Sequence, residues 1–157
     1  MKASVIVTSI NNTHVSAHMT MSCVRNITAY TEPENYELIL VDPVCQPHFP
    51  MRDDYHVLKI DKWLKPDPDP GYATCVNLGA KEAIGDYLFF VQNDAFVQEG
   101  WMEGILEYLD RSDGRGYDLI WPDQIPSTRE YVKETFKRDL FDIKLYTFGF
   151  AKVKHTL

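Results

Sequence analysis

Few cysteines, few cations and no long apolar run bound what this 157-residue chain can be. Its three cysteines, Cys23, Cys45 and Cys75, are odd in number and never spaced C-x-x-C, which argues against a disulfide framework or a structural zinc site. Lysine and arginine total 16 against 23 aspartates and glutamates, a net charge of −7. Proteins that grip a nucleic-acid backbone carry a basic surface, so no nucleic-acid partner is expected. The longest apolar run, Tyr87 to Val91, is five residues, far short of the ~20 that a membrane-spanning helix needs. Val5-Ile6-Val7 is broken by Thr8 and Ser9, too soon for a signal-peptide core. A soluble, cytoplasmic protein with no membrane span is the expectation. At 45% hydrophobic residues, a chain of this length suits one domain that folds without a staple.

Several motifs are missing as well. No G-x-G-x-x-G follows the first apolar run, which argues against a dinucleotide site, and there is no G-x-x-x-x-G-K-[ST] phosphate loop. A G-x-S-x-G nucleophile elbow is absent too.

What is present alternates. Short β-branched or wholly apolar runs predict strands at Val5 to Val7, Glu37 to Val41, Tyr55 to Ile60, Tyr87 to Val91 and Asp118 to Trp121. Between them, helical spacing joins Val15, Met19, Cys23, Ile27 and Tyr30, then Val76, Ala80, Ala83 and Ile84, then Met102, Ile105, Leu106 and Leu109. Lys65 to Gly71 holds three prolines alternating with aspartates and is a loop. Ser127-Thr128-Arg129-Glu130 is a capping box, predicting a helix with Val132, Phe136 and Leu140 inward. Strands alternating with helices make an α/β domain with a mostly parallel central sheet flanked by helices. We read residues 1–125 as its core and 126–157 as a C-terminal helix and tail of the same domain. Residues 1–125 carry 9 basic against 19 acidic side chains, and 126–157 carry 7 against 4. Such a basic end would suit a phosphorylated acceptor or an anionic membrane surface, but a solvated helix face is the favoured reading.

In parallel sheets ligands bind beyond the C-terminal ends of the strands. There the chain places Thr8 to Asn12, Asp42, and Gln92-Asn93-Asp94. A carboxylate following five apolar residues, as Asp94 does, is costly to desolvate unless a cation or hydrogen bonds meet it. Its alternative duty is to cap a helix over 95–110. Asp42 ahead of Pro43 has an Asx-turn as its alternative. His14 and His18, four apart, have a metal-ligand spacing but no third ligand nearby in sequence.

Four segments resemble the GT-A-fold glycosyltransferases, and most closely glycosyltransferase family 2. Ser4 to Asn12 resembles the opening strand and nucleotide loop, and Tyr36 to Asp42 the second strand with its base-contacting aspartate. Gly71 through Asn77-Leu78-Gly79-Ala80 to Tyr87 is similar to the family's glycine-asparagine-glycine helix. Phe89 to Ala95, with Gly100-Trp101-Met102 behind it, resembles the D-x-D region. The resemblance implies a GT-A-like (Rossmann-like) domain, as a short or truncated member of that family. It also implies a nucleotide-diphospho-sugar donor, an acceptor the sequence does not identify, and transfer with inversion. Thr8, Ile10, Asn11, Asp42, Gly71, Asn77 and Asn93 fall at donor-binding positions, and Gln92 and Asp94 at metal positions for Mn2+ or Mg2+. The chain departs from the pattern in having Ile10 where an aromatic residue often stacks on the nucleoside, and Gln92 for the first D-x-D acid. No downstream acidic motif supplies a base. Asp123 is our choice among Asp123, Glu130 and Glu134, and His155 resembles the C-terminal metal histidine of some GT-A enzymes. A non-catalytic nucleotide-sugar-binding module that lost its acceptor half is the alternative function.

Overall fold

The computed structural model describes residues 3–49, 58–111, 119–120 and 148–152. Strand β1 (Ala3–Thr8) runs into helix α1 (His14–Ala29), followed by β2 (Tyr36–Val41) and β3 (Lys62–Leu64). Helix α2 (Tyr72–Glu82) leads to β4 (Tyr87–Gln92), then α3 (Trp101–Arg111), β5 (Leu119–Ile120) and β6 (Phe148–Lys152). The sheet order is β3-β2-β1-β4-β6-β5. The first four of these strands are mutually parallel. β6 lies antiparallel to both β4 and β5.

Alternate residues of the parallel strands feed two cores. Val5, Val7, Leu38, Leu40, Phe89 and Val91 pack with Cys23, Val24 and Ile27 of α1 and Met102 of α3. Ile6, Ile39, Val41 and Leu88 pack on the other face with Cys75 of α2. Covering both faces is why these strands read as unbroken apolar runs.

Helix α1 opens with a reciprocal cap: Ser16 N donates to Thr13 Oγ1, and Thr13 N to Ser16 Oγ, each at 3.0 Å. Its buried face is Ala17, Thr20, Met21, Cys23, Val24 and Ile27, rotated from the expected stripe, so that Val15 is 62% exposed. In α2 the buried residues are Cys75 and Gly79, while Ile84 lies exposed beyond the helix end.

The third strand falls later than its pattern predicts. Residues 58–60 form no ladder, and 55–57 lie outside the described residues. Leu58 and Ile60 pack against the core from an irregular segment, so their alternation reflects burial without strand pairing. Asp61 then locks the entry to β3: Leu38 N donates to its carboxylate at 2.7 Å, and its own N donates to Leu38 O at 2.9 Å. The strand predicted at 118–121 is described at Leu119–Ile120 only, and the capped helix after Ser127 lies outside the described residues. Phe148–Lys152, where the sequence pattern predicts only a tail, joins the sheet beside β4.

A buried polar network ties the sheet's other end to the α2–β4 turn. Ser4 Oγ donates to Glu37 Oε1 at 2.5 Å, Ile84 N to the same oxygen at 2.7 Å, and Gly85 N to Ser4 Oγ at 2.9 Å. Lys62 Nζ stands 3.4 Å from Glu37 Oε2, so the buried carboxylate has partners on both oxygens. The fit requires glycine at 85, since a Cβ there would lie 2.5 Å from the Ala3 carbonyl carbon and 2.6 Å from Ser4 N. At Gly79 a Cβ would meet the side chains Ile6 Cγ2 at 2.4 Å and Val41 Cγ2 at 3.2 Å, where at Gly85 it would meet backbone. Gly85→Ala is therefore expected to cost at least the ~1–3 kcal/mol typical of overpacking. Gly79→Ala should cost less, because alanine returns ~1 kcal/mol of helix propensity. Urea unfolding of the two variants side by side checks the order.

Candidate functional site

Strand register brings the expected residues to one edge. Thr8 is level with Val41 on β2 and with Gln92 on β4, so Ser9, Asp42 and Asn93 follow one step beyond the sheet. A cleft of about 200 Å³ opens there, lined by Thr8, Ser9, Ile10, Pro43, Asp69, Tyr72, Cys75, Gln92, Asn93 and Asp94. Thr8, Ile10, Gln92, Asn93 and Asp94 are thus brought together as the sequence suggests. Ser9, Pro43, Asp69, Tyr72 and Cys75 join them from positions that sequence reasoning assigned no role. For Asp69 and Tyr72 a signal existed, since both flank Gly71.

Beneath the cleft a chain of hydrogen bonds fixes its floor. Asn93 Nδ2 donates to Thr20 Oγ1 at 2.9 Å, and Thr20 Oγ1 to Asn11 Oδ1 at 2.8 Å. Asn11 Nδ2 and Ser9 Oγ each donate to Asp42 Oδ1 at 2.8 Å. Asn11 is fully buried and Asp42 is 1% exposed, and neither is among the lining residues. Asp42 Oδ2 has no hydrogen-bond partner among the described residues, and His48 Nε2 stands 3.9 Å away. Burial pushes the Asp42 carboxyl above the usual carboxylate range, against the pull of Ser9, His48, Lys65 and Trp63.

Two further donor-position residues sit apart from the wall. Gly71, at φ +84°, precedes α2 as its N-cap, and its N donates to Asp69 Oδ1 at 2.8 Å. The positive φ is what calls for glycine there. Asn77 is exposed on α2 and does not line the cleft. Asp123, Glu130, Glu134 and His155 lie outside the described residues.

Asp94 is not a helix cap. A turn closes over it, Ala95 N donating to Gln92 O at 3.0 Å, and α3 begins only at Trp101. Its Oδ1 is buried without a hydrogen-bond partner among the described residues. Burial raises its pKa, with its own backbone hydrogen bond the counterweight. The Cys23 thiol is pushed up by its burial and then by the Asp94 charge. Gln92 and Asp94 present oxygen donors to one cleft, the ligand type that Mg2+ and Mn2+ take beside substrate phosphates. Among the described residues no group of three or more His, Cys, Asp or Glu side chains could hold a metal by itself. His14 instead packs against Phe49, ring centroids 4.1 Å apart and planes tilted by 54°.

Among the described residues no helix is long and apolar enough to cross a membrane. No curated protein sequence matches the chain. Among solved structures, TarS 1-349 of S. aureus is similar, with a TM-score of 0.58 and 18% identity over 82% of this chain and 39% of that one. The same protein in complex with UDP-GlcNAc gives a TM-score of 0.58 and 18% identity over 82% of this chain and 38% of that one. The mannosyltransferase PcManGT from Pyrobaculum calidifontis, in complex with GDP-Man and Mn2+, gives a TM-score of 0.63 and 14% identity over 96% and 44%. The chain spans about two fifths of the length of these structures, and at such identities the likeness is one of fold, the GT-A Rossmann-like fold. The family profile described as Glycosyl transferase family 2 matches residues 64–155. That match covers more than half of the sequence, and the chain belongs to glycosyl transferase family 2.

Proposed function

We propose that this chain carries the donor site of a nucleotide-sugar glycosyltransferase. The observation that carries the reading is Asp94, a carboxylate with a buried, unpartnered oxygen at the wall of a cleft on the C-terminal edge of the sheet. An oxygen kept in that state is costly unless a ligand completes it. The known complexes with UDP-GlcNAc and with GDP-Man and Mn2+ support a nucleoside diphosphate sugar as that ligand, together with a divalent cation.

The division of labour follows from placement. Thr8 and Ser9, at the β1 end of the cleft, would contact the donor, and Asn93 holds the β4 end to α1 through Thr20. Asn11 and Asp42 act from beneath, setting the course of the β1–α1 loop. Gln92 and Asp94 would hold Mn2+ or Mg2+. When bound, that ion supplies charge neutralisation for the departing diphosphate. With glutamine in place of an acid, the cation should bind modestly. Transfer also needs a base within ~3 Å of the acceptor hydroxyl; Asp123 is the proposed residue, and inversion the stereochemistry that the family resemblance implies.

Calorimetry with UDP and GDP, with and without Mn2+, tests the site. Affinity should rise with the cation. Asp94→Asn should remove that rise, weakening nucleotide binding about tenfold, the scale of a lost charge-assisted contact. Gln92→Asp should strengthen it. The same Asp94→Asn variant carries a stability signature. A carboxyl whose folded pKa is raised destabilises the fold once ionised, so the penalty is present at pH 7 and vanishes below the ordinary carboxylate range. Without metal, the variant should melt at a higher temperature than the native chain at pH 7, and the gap should close on acidification. Equal melting temperatures at pH 7 would count against a strained Asp94.

A further inference from the structure

The buried face of α1 consists of Ala17, Thr20, Met21, Cys23, Val24 and Ile27. Thr20 is the one polar side chain among them, and it is fully buried. A hydroxyl in such a stripe is costly unless its hydrogen bonds are met, and here they are met from two ends of the cleft. Asn93 Nδ2, from the turn after β4, donates to Thr20 Oγ1 at 2.9 Å, and Thr20 Oγ1 donates to Asn11 Oδ1, in the loop after β1, at 2.8 Å. Asn11 Nδ2 carries the line on to Asp42 Oδ1. Asp42 is the acid that the family resemblance places at the nucleoside.

The direction of this line is fixed. Asp42 Oδ1 accepts from both Ser9 and Asn11, so Asn11 turns its Nδ2 to the carboxylate and its Oδ1 to Thr20. The Thr20 hydroxyl has a single hydrogen. Ser16 O also lies 3.0 Å from Thr20 Oγ1, but that carbonyl has a helix N–H of its own, whereas the fully buried Asn11 Oδ1 has Thr20 as its donor. With its hydrogen committed to Asn11, Thr20 is left as an acceptor for Asn93. Both hydrogens of Asn93 Nδ2 find acceptors on α1, Thr20 Oγ1 and, at 3.5 Å, Ser16 O. Asn93 therefore offers a carbonyl oxygen to the cleft that it lines. Between Gln92 and Asp94, that oxygen makes the turn a run of acceptors, suited to a cation and unsuited to a bare phosphate.

We infer that Thr20 is a positioning residue that couples the cation end of the donor cleft to the acid ending β2. The inference rests on the donor-site reading above and adds the link between its two ends. Thr20 is not among the lining residues, so it acts only through Asn93 and Asn11. Without the hydroxyl, Asn93 is free to turn its amide over and present hydrogens to the cation. Asn11, deprived of its donor, is free to rotate beside Asp42. One change that touches no ligand thus disturbs both ends, and bonds aligned in one direction strengthen one another while they last. Helix α1 holds the β4 turn at a second point, Val97 N donating to Asn26 Oδ1 at 2.6 Å, but that contact lies outside the line to Asp42.

The test is calorimetry with UDP, GDP and inorganic pyrophosphate, with and without Mn2+, on the native chain, Thr20→Val, Thr20→Ser and Thr28→Val. Two ratios are read on whichever nucleotide the native chain binds more tightly: its gain in affinity on adding Mn2+, and its preference over pyrophosphate in Mn2+. Thr20→Val keeps the shape and removes the hydroxyl, and should lower each ratio about fivefold, the scale of one buried hydrogen bond. Thr20→Ser should keep both. Thr28, farther along the same helix, donates to Val24 O at 2.9 Å, and Thr28→Val should leave both ratios at their native values whatever it does to the melting temperature. Should Thr20→Val not fold, Thr20→Cys replaces it with the same losses expected, a thiol being too weak a donor to hold the line. Unchanged ratios overturn the inference, and so does the loss of only one, which would make the two ends independent. An equal loss in Thr20→Ser would assign the effect to packing, and an equal loss in Thr28→Val to general loosening; either overturns it, as does a native chain with no preference for a nucleotide over pyrophosphate. A native chain that binds neither nucleotide more tightly with Mn2+ contradicts the donor-site reading itself, independently of Thr20, and the inference falls with it.

Discussion

The buried Asp42 carboxylate is the contact on which the geometry of the site depends. Its Oδ1 accepts from Ser9 and Asn11, and so ties the loop after β1 to the end of β2. Through Asn11 and Thr20 the same network reaches Asn93 at the end of β4. Three strand ends and one helix are therefore held by a single line of hydrogen bonds. A network of this kind is rigid only if its members are satisfied, and low local dielectric strengthens each bond while penalising any that is lost. The loop forms the cleft wall because Asp42 leaves it little freedom.

A second buried carboxylate, Glu37, does comparable work at the opposite end of the sheet. It accepts from Ser4 and from the backbone of Ile84, and it pairs with Lys62. Lys62 Nζ also donates to the carbonyl of Glu82. The result fixes where α2 stops and β4 starts, and hence the height at which Gln92, Asn93 and Asp94 emerge five residues later. Between these two polar anchors the sheet is apolar on both faces.

Glu37 is satisfied on both oxygens within the fold, whereas Asp42 and Asp94 each keep a buried oxygen that nothing in the described chain completes. Of these two, Asp94 is the one that lines the cleft. Stability is given up at this position, and sites where local rules are broken in an otherwise consistent fold are where a ligand is expected to act.

The α/β class, the parallel strands, the order of the helices and the collection of polar residues at the strand ends were legible in the sequence, because strand and helix periods are local properties of residue order. So were the glycines of α2 and its approaches, through the family resemblance. The displaced third strand, the rotation of α1 and the strand at Phe148–Lys152 were not, since pairing partners and buried faces are set by residues far away in sequence. The same division runs through the site. Sequence alone singled out Asp42 and Asp94 as acids following apolar strands. Only the tertiary structure decided that Asp42 is sealed beneath the floor by Ser9, Asn11 and His48, while Asp94 borders the cleft and Tyr72 arrives from another element. Burial and partner distance are properties of the packed chain, and no spacing along it encodes them.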